Sequence, residues 1–425
     1  MQVKELRYFG HLVLLGLSAA AFCQQAPPLT WEQVRDRFEV RNPTLLADRL
    51  NIDESKAEEI TANLRPNPTF SLTADGTQIA PDHGVWQPFA GTFISPGISF
   101  EIERRRKRHL RLESAQKATV IAEFSHADVE RGLLFTLRSA FVTILQAKAA
   151  RQLAQDDLDY WDKVLDISRT RFSAGDIAQI DLDRLELQRA QYESDLQTAE
   201  EALENAKIQM LALLNDRVPL DQFDVVGPYD FNDQLPSRDE VRKTALDTRP
   251  DLKAAFTAVD KARADHTLAV ANGSTDPTLS LWYTHNGSYN NPAATNTLGI
   301  SINIPLRIFD RNQGEKLRTQ LDIDRNQRLY DATQAQVFAD VDSSYATVES
   351  DVTLLRPYKA KYLQTSVRVR DTVTFSYQHG GASLLDFLNA QSEYRMVQLN
   401  YINLIGSYLT AAAQLNMAAG REVLP

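Results

Sequence analysis

The run Leu182-Asp183-Arg184-Leu185-Glu186-Leu187-Gln188-Arg189-Ala190-Gln191-Tyr192, continuing to Leu213, decides the architecture. Within it Leu182, Leu185, Arg189, Tyr192, Leu196, Ala199, Leu203, Ala206, Met210 and Leu213 follow one another in steps of three and four, and all but Arg189 are apolar. Such a seam, held over more than four heptads, is the mark of a helix packed lengthwise on another helix. A second seam stands 205 residues later, through Phe387, Ala390, Tyr394, Val397, Tyr401, Leu404, Tyr408, Ala411 and Leu415. Each is preceded by a stripe of its own: Leu133, Leu137, Ala140, Ile144, Ala147, Ala154, Leu158, Trp161, Leu165 and Phe172 in the first half, Val341, Tyr345, Val348, Val352, Leu355 and Tyr362 in the second. Pro357 falls inside the second stripe and should bend or unwind its helix.

Outward from the seams the chain reads as one unit written twice. Arg41-Asn42-Pro43-Thr44-Leu45 is echoed by Thr248-Arg249-Pro250-Asp251-Leu252, and Pro68-Thr69-Phe70-Ser71-Leu72 by Pro277-Thr278-Leu279-Ser280-Leu281. Phe172-Ser173-Ala174-Gly175, then Asp181, is echoed by Tyr377-Gln378-His379-Gly380, then Asp386, and the offset stays between 205 and 209 residues. The expected order is helix, strand pair, very long helix, glycine turn and long helix, twice. Repeat one is assigned to 29–216, with strands over about 67–76 and 92–103 and helices over about 105–172 and 176–215. A linker at 217–236 carries Pro219, Pro228 and Pro236. Repeat two is assigned to 237–420, with strands over about 275–285 and 297–306 and helices over about 311–378 and 384–418. A helix over 105–172 would be ~100 Å long at 1.5 Å per residue, too long for a compact globule.

The strand segments alternate. Leu298, Ile300, Ile302 and Ile304 share one face, with Thr297, Gly299, Ser301 and Asn303 on the other. Ile98, Phe100 and Ile102 alternate likewise with Ser99, Glu101 and Glu103, while Trp282 breaks the polar face of its strand. Period two gives one apolar face and one wet face. Two readings fit: hairpins packed on the helices, or membrane strands facing lipid on one side and a lumen on the other. Four strands cannot close a barrel, since single-chain barrels begin at about eight, so the second reading requires several chains.

Composition narrows the function. The chain has 425 residues, a formal charge of −10 and one cysteine, which argues against a nucleic-acid binder, a disulfide framework and a cysteine-rich zinc site. A mean hydropathy of −0.35 and the absence of a long apolar run past the first 25 residues argue against helical membrane spans. Lys4 and Arg7, the apolar run Tyr8–Leu17 and the small residues Ser18–Ala21 read as a secretory leader over 1–23. Cys23 stands where a lipidated cysteine would, but Phe22 is large for a lipobox, so cleavage after Cys23 competes with lipidation. No nucleophile, phosphate-loop or zinc-protease motif is present, and no histidine lies three or four residues from another. An enzyme, a cofactor and a tight metal site are therefore not expected.

On these features the chain resembles the TolC-type outer-membrane efflux proteins over about 29–420. Ile304-Pro305-Leu306-Arg307-Ile308-Phe309-Asp310-Arg311-Asn312-Gln313-Gly314 and Arg171-Phe172-Ser173-Ala174-Gly175-Asp176 are similar to the heavy-metal (cobalt–zinc–cadmium type) branch. The resemblance implies a mostly α chain with a small β part, assembled as a homotrimer. It implies a 12-stranded transmembrane β-barrel in outer-membrane lipid, continued by a 12-helix coiled-coil α-barrel in the periplasm, with 217–236 in an equatorial belt. It implies the exit duct of a tripartite exporter, joined at its tips by a periplasmic adaptor and driven by an inner-membrane, proton-coupled RND-type transporter. Carboxylates past the second tip line the closed entrance in that family. Asp386 matches the first of these, Asn389 stands where some members carry a second, and Asp181 is the first-repeat equivalent; for both aspartates, capping a helix start in solvent is the competing reading. Gly175, Asp176, Gly380 and Gly381 mark the hairpin tips and adaptor contacts, the glycines being placed for a reversal at positive φ. Two other readings stay open: a duct for drug efflux or one-step protein secretion, and a periplasmic coiled-coil scaffold without a pore. The basic run Arg104–Arg108 is open between lipid-phosphate contact and solvation.

Overall fold

The computed structural model describes residues 27–286 and 295–424, so the expected leader with Cys23 lies outside the described residues. Helix α1 (Trp31–Arg41) opens at a capping box in which the Thr30 hydroxyl and the Gln33 side chain satisfy each other's backbone N–H groups. It stops at Asn42, held extended because Pro43 follows, and Pro43 then opens α2 (Pro43–Ala62). The second repeat makes the same break: a Ser237/Glu240 box opens α5 (Arg238–Thr248), and Arg249-Pro250 separates it from α6 (Pro250–Asn272). Arg249 is buried there, fixed by Asp251 at 2.6 Å and Asp340 at 2.8 Å.

Helix α3 (Lys107–Ser173) is 67 residues long, ~100 Å at 1.5 Å per residue, and runs unbroken to the first tip. Helix α4 (Gln179–Leu213) returns beside it. The matching helix expected over 311–378 is not continuous. α7 (Gln313–Pro357) ends in a π turn at Tyr358–Tyr362, and α8 (Leu363–Gln378) completes the descent before α9 (Leu384–Ala419) returns. Pro357 lacks the N–H needed by the helical ladder and its ring crowds the preceding turn, so the helix widens there. α3 also corrects the expectation from hydropathy, because it holds an 18-residue window of mean hydropathy 1.3, apolar enough to cross a bilayer. It is the helix that supplies Leu137, Phe141, Ile144 and Leu145 to a buried core beside Val34, Phe38, Met210 and Val225.

Strands β1 (Thr69–Asp75), β2 (Phe93–Glu101), β3 (Thr278–Asn286) and β4 (Asn296–Asn303) form one antiparallel sheet in the order β1-β2-β3-β4. The β2–β3 pairing, with Ile98 opposite Leu281 and Phe100 opposite Leu279, joins the two repeats side by side. The helices follow the same lateral order. Near the sheet α3 lies between α2 and α6, with α7 beyond; toward the tips it lies between α4 and α9, with α7 and α8 beyond. Mid-rod, the linker wraps this layer: Val225 bridges Leu29, Tyr229 donates to the Ile402 carbonyl, and Tyr408 donates to the Asn232 carbonyl.

Candidate functional site: the hairpin tips and the strand wall

The two tips are built alike. The Gly175 N–H donates to the Phe172 carbonyl and the Asp176 N–H to Arg171, at 2.9 Å each; Gly380 and Gly381 do the same to Tyr377 and Ser376. This pair of hydrogen bonds closes a helix when the residue after the cap turns left-handed, which Gly175 (φ 84°) and Gly380 (φ 78°) do. Gly381, expected at positive φ, does not adopt it: like Asp176 it is the next residue along, which only donates its N–H. A Cβ there would come 2.9 Å from the Ser376 hydroxyl.

Above the turns, one aromatic core locks the two hairpins together. Trp161 of α3 stacks on Tyr192 of α4 at 5.2 Å and meets Phe387 of α9 edge-on at 5.8 Å. Tyr377 stacks on Phe387 at 4.8 Å, and the Arg171 guanidinium lies 5.6 Å from the Tyr377 ring. Farther from the tips, Arg395 of α9 pairs with Asp195 of α4 at 2.6 Å, approaches Asp157 of α3 at 3.7 Å and covers the Tyr192 ring. Burial pushes the Asp157 carboxyl up to about 6, with Arg395 and Arg370 opposing the shift. Sequence reading missed this triad. Its only signal was a charged residue beside a seam position in three helices: Asp157 by Leu158, Asp195 by Leu196, Arg395 by Tyr394.

The expected entrance residues fall into different settings. Asp386 is exposed and belongs to the capping box of α9: its Oδ2 accepts from the Ser383 hydroxyl at 2.7 Å and the Ser383 N–H at 3.1 Å. These bonds hold its carboxyl below the usual range. Asp181 lies in the first turn of α4, whose cap residue Ala178 offers no side-chain bond, and its carboxylate makes no hydrogen bond or ion pair among the described residues. Its charge is felt by Tyr377, whose hydroxyl burial pushes up. Asn389 is exposed one turn beyond Asp386. No three His, Cys, Asp or Glu side chains converge among the described residues.

The sheet forms the other end of the rod. Its register lines up Phe70 with Ile98, Ile98 with Leu281, and Leu281 with Ile300, so a single apolar face crosses all four strands. Among the described residues that face packs on nothing: Phe70 and Ile300 are 70% exposed and Leu298 74%. The opposite face carries Ser71, Gly97, Ser99, Ser280, Thr284 and Ser301, and Trp282 lies flat across Gly299, where no Cβ would fit. Hairpins packed on the helices would bury the apolar face, so that reading is set aside. Strands β1 and β4 each pair on one side alone, leaving two free edges among the described residues.

A rod of paired helices, written twice and ending in an open apolar-faced sheet, has matches among known proteins. The family model for the outer membrane efflux protein matches residues 34–216 and again 241–421. The chain belongs to the outer membrane efflux protein family. It is an outer-membrane protein whose helical rod extends into the periplasm, and members of this family are channels rather than enzymes. The cobalt-zinc-cadmium resistance protein CzcC of Cupriavidus metallidurans is 23% identical over 401 residues, covering 94% of this chain and 91% of that protein. The pyoverdine export outer membrane protein OpmQ of Pseudomonas aeruginosa is 23% identical over 355 residues, covering 81% and 72%. Among solved structures, CusC superposes with a TM-score of 0.78 at 17% identity over 92% of both chains, which supports the fold.

Proposed function

We propose that three copies of this chain join edge to edge into a closed 12-stranded barrel and a 12-helix periplasmic conduit, forming the exit duct of a tripartite exporter. The single observation that carries this is the exposed apolar face between two unpaired edge strands. Pairing β4 of one copy with β1 of the next satisfies both edges and leaves a wall apolar outside and polar within. Exposed Leu46, Leu50 and Ile60 on the α2 side and Leu317, Leu321 and Leu329 on the α7 side supply the matching helical seam. An inner-membrane RND-type pump would deliver cargo through an adaptor seated on the tips around Gly175, Asp176, Gly380 and Gly381.

The favoured cargo is heavy-metal cations. The extended similarity to a cobalt-zinc-cadmium resistance protein supports it, as does a threefold ring of Asp386, whose capped carboxyl stays ionised and attracts cations at the entrance. Asp181 adds negative charge nearby and Asn389 adds none, so the ring has one strong layer. The similarity to a pyoverdine export protein favours a second reading, a duct for small organic molecules. Planar-bilayer recording tests the duct: a cation-selective pore is expected, with selectivity reduced in Asp386→Asn. Absence of any pore from detergent-purified protein would point to a scaffold. A deletion strain with unchanged cobalt, zinc and cadmium tolerance would remove the metal assignment.

A further inference from the structure

Charge along the sheet is sharply one-sided. No lysine or arginine occurs in 66–103 or in 274–306, the segments that hold the four strands. Cations begin again at the helix-side rim, with Arg65 before the first hairpin, Arg104 directly after it and Arg307 directly after the second. This rim is one structure. The Arg104 N–H donates to Asp276, Lys107 bonds Asp276 and the Ser274 carbonyl, and Arg111 bonds Glu103 and the Leu64 carbonyl. Lys107 and Arg111 are thereby consumed in holding the rim together.

Six other cations are not. The side chains of Arg65, Arg104, Arg105, Arg106, Arg307 and Arg311 make no hydrogen bond or ion pair among the described residues, whereas arginines along the rod are mostly paired. Arg105 and Arg106 stand consecutively in the left-handed region (φ 56° and 58°), so α3 begins at Lys107 and the run is an exposed turn, not a first helical turn. Past the end of β4, beside Arg307 and Arg311, Leu306 and Ile308 are exposed and Phe309 is 90% exposed. Free guanidinium groups next to unburied apolar side chains, at one rim only, match a surface where hydrocarbon meets phosphate.

We propose that this rim is a phospholipid-binding collar: its arginines hold phosphate headgroups of the periplasmic leaflet while Leu306, Ile308 and Phe309 enter the acyl boundary, fixing the barrel's depth in the membrane. The proposal rests on the sheet being a bilayer wall and goes beyond it by assigning a ligand class to named residues. A planar, permanently charged guanidinium suits phosphate through paired N–H groups. Acidic headgroups are preferred, since each arginine near an anionic surface changes binding roughly fivefold.

The test titrates detergent-solubilised full-length protein with phosphatidylglycerol and with phosphatidylcholine and counts retained lipids by native mass spectrometry at low and high salt. Wild type is expected to retain phosphatidylglycerol preferentially, and salt should abolish the preference. Arg104→Gln, Arg105→Asn, Arg106→Asn, Arg307→Gln and Arg311→Gln combined should weaken that retention at least about tenfold; asparagine is chosen where the backbone is left-handed because it tolerates that region. The corresponding lysine substitutions should keep the preference. Equal retention of both lipids by a wild type that still conducts in planar bilayers overturns the collar and leaves the wall standing. Equal displacement by millimolar inorganic phosphate and by phosphatidylglycerol also overturns it, in favour of a simple anion site. A wild type that neither conducts nor needs detergent overturns both. If the combined variant does not assemble, the wild-type lipid and salt comparison decides alone.

Discussion

Ile300 and Ser301 are neighbours on β4 whose side chains leave opposite faces of the sheet, Ile300 opposite Leu281 and Ser301 opposite Ser280. Replacing each by arginine therefore puts the same charge into two media. Ile300 is 70% exposed in the chain, so its removal forfeits almost no internal packing and the cost of Ile300→Arg comes from its surroundings alone. In a lipid-facing wall an arginine near the bilayer midplane costs about 2–4 kcal/mol per strand, while a lumen-facing one is nearly neutral. Three copies carry three such charges, so the assembled barrel should lose roughly 6–12 kcal/mol with Ile300→Arg if the copies act additively. Urea titration of protein refolded into phospholipid vesicles, read by a heat-modifiable trimer band, measures both variants on one scale. Ser301→Arg should behave as wild type with an altered ion selectivity, and Ile300→Arg should fail to insert or shift its midpoint strongly. Variants within about 0.5 kcal/mol of each other, or a larger loss for Ser301→Arg, would refute the assignment of faces and with it the barrel.

Trp161→Ala should destabilise the tip by about 3–5 kcal/mol, because Trp161 is fully buried between Tyr192 and Phe387; chemical unfolding monitored by near-ultraviolet circular dichroism reads it. Gly175→Ala meets no steric neighbour, so only the left-handed backbone penalty of about 1–2 kcal/mol is expected, visible as faster proteolysis at the tip. Asp157 should make stability depend on pH. Its folded carboxyl titrates at about 6 against an ordinary 3.8, so between these values the folded chain holds the proton that the unfolded chain has lost. Stability therefore falls by roughly 2–3 kcal/mol as pH rises from 4 to 6 and then levels. Asp157→Asn should flatten that segment of the melting-temperature profile, and an unchanged slope would assign the dependence to other groups.

Much of the rod was legible in the sequence because helical packing leaves a period. The seam positions Leu182, Leu185, Tyr192, Ala206 and Met210 are buried in α4, and Phe387, Ala390, Tyr408, Ala411 and Leu415 in α9. Arg189 could stand in the seam because its guanidinium reaches Asp162 at 2.5 Å and Glu193 at 2.9 Å at the edge of the contact. Pro357 announced its own break. Less legible were features with no period. A capping box needs only a serine and an acid three residues apart, so helix capping was legible for Asp386 as an alternative to an entrance role, while its reciprocal bonds to Ser383 were not. The turn at Arg104–Arg106 looked like the start of a helix, since nothing in a run of arginines marks a left-handed backbone.

Periodicity states that a face is buried without stating against what, and this limit explains both the successes and the gaps. The seam of α4 specifies a partner for Leu185 and Tyr192, but not that Phe387 of the other repeat completes the same core as Trp161. That contact requires the two hairpins to lie side by side, which follows from the β2–β3 pairing at the far end of the rod rather than from either seam. The strand alternation has the same ambiguity in sharper form: Ile98, Leu281 and Ile300 had to face something apolar, and a helix or a lipid would satisfy the pattern equally. Only the register, which merges four short stripes into one face, and the exposure of that face among the described residues separate the two. An apolar face of this extent beside two unpaired edges is unstable in water and prone to join other strands. Under the proposed assembly, copies of the same edges closing on one another inside a bilayer would satisfy all three surfaces at once.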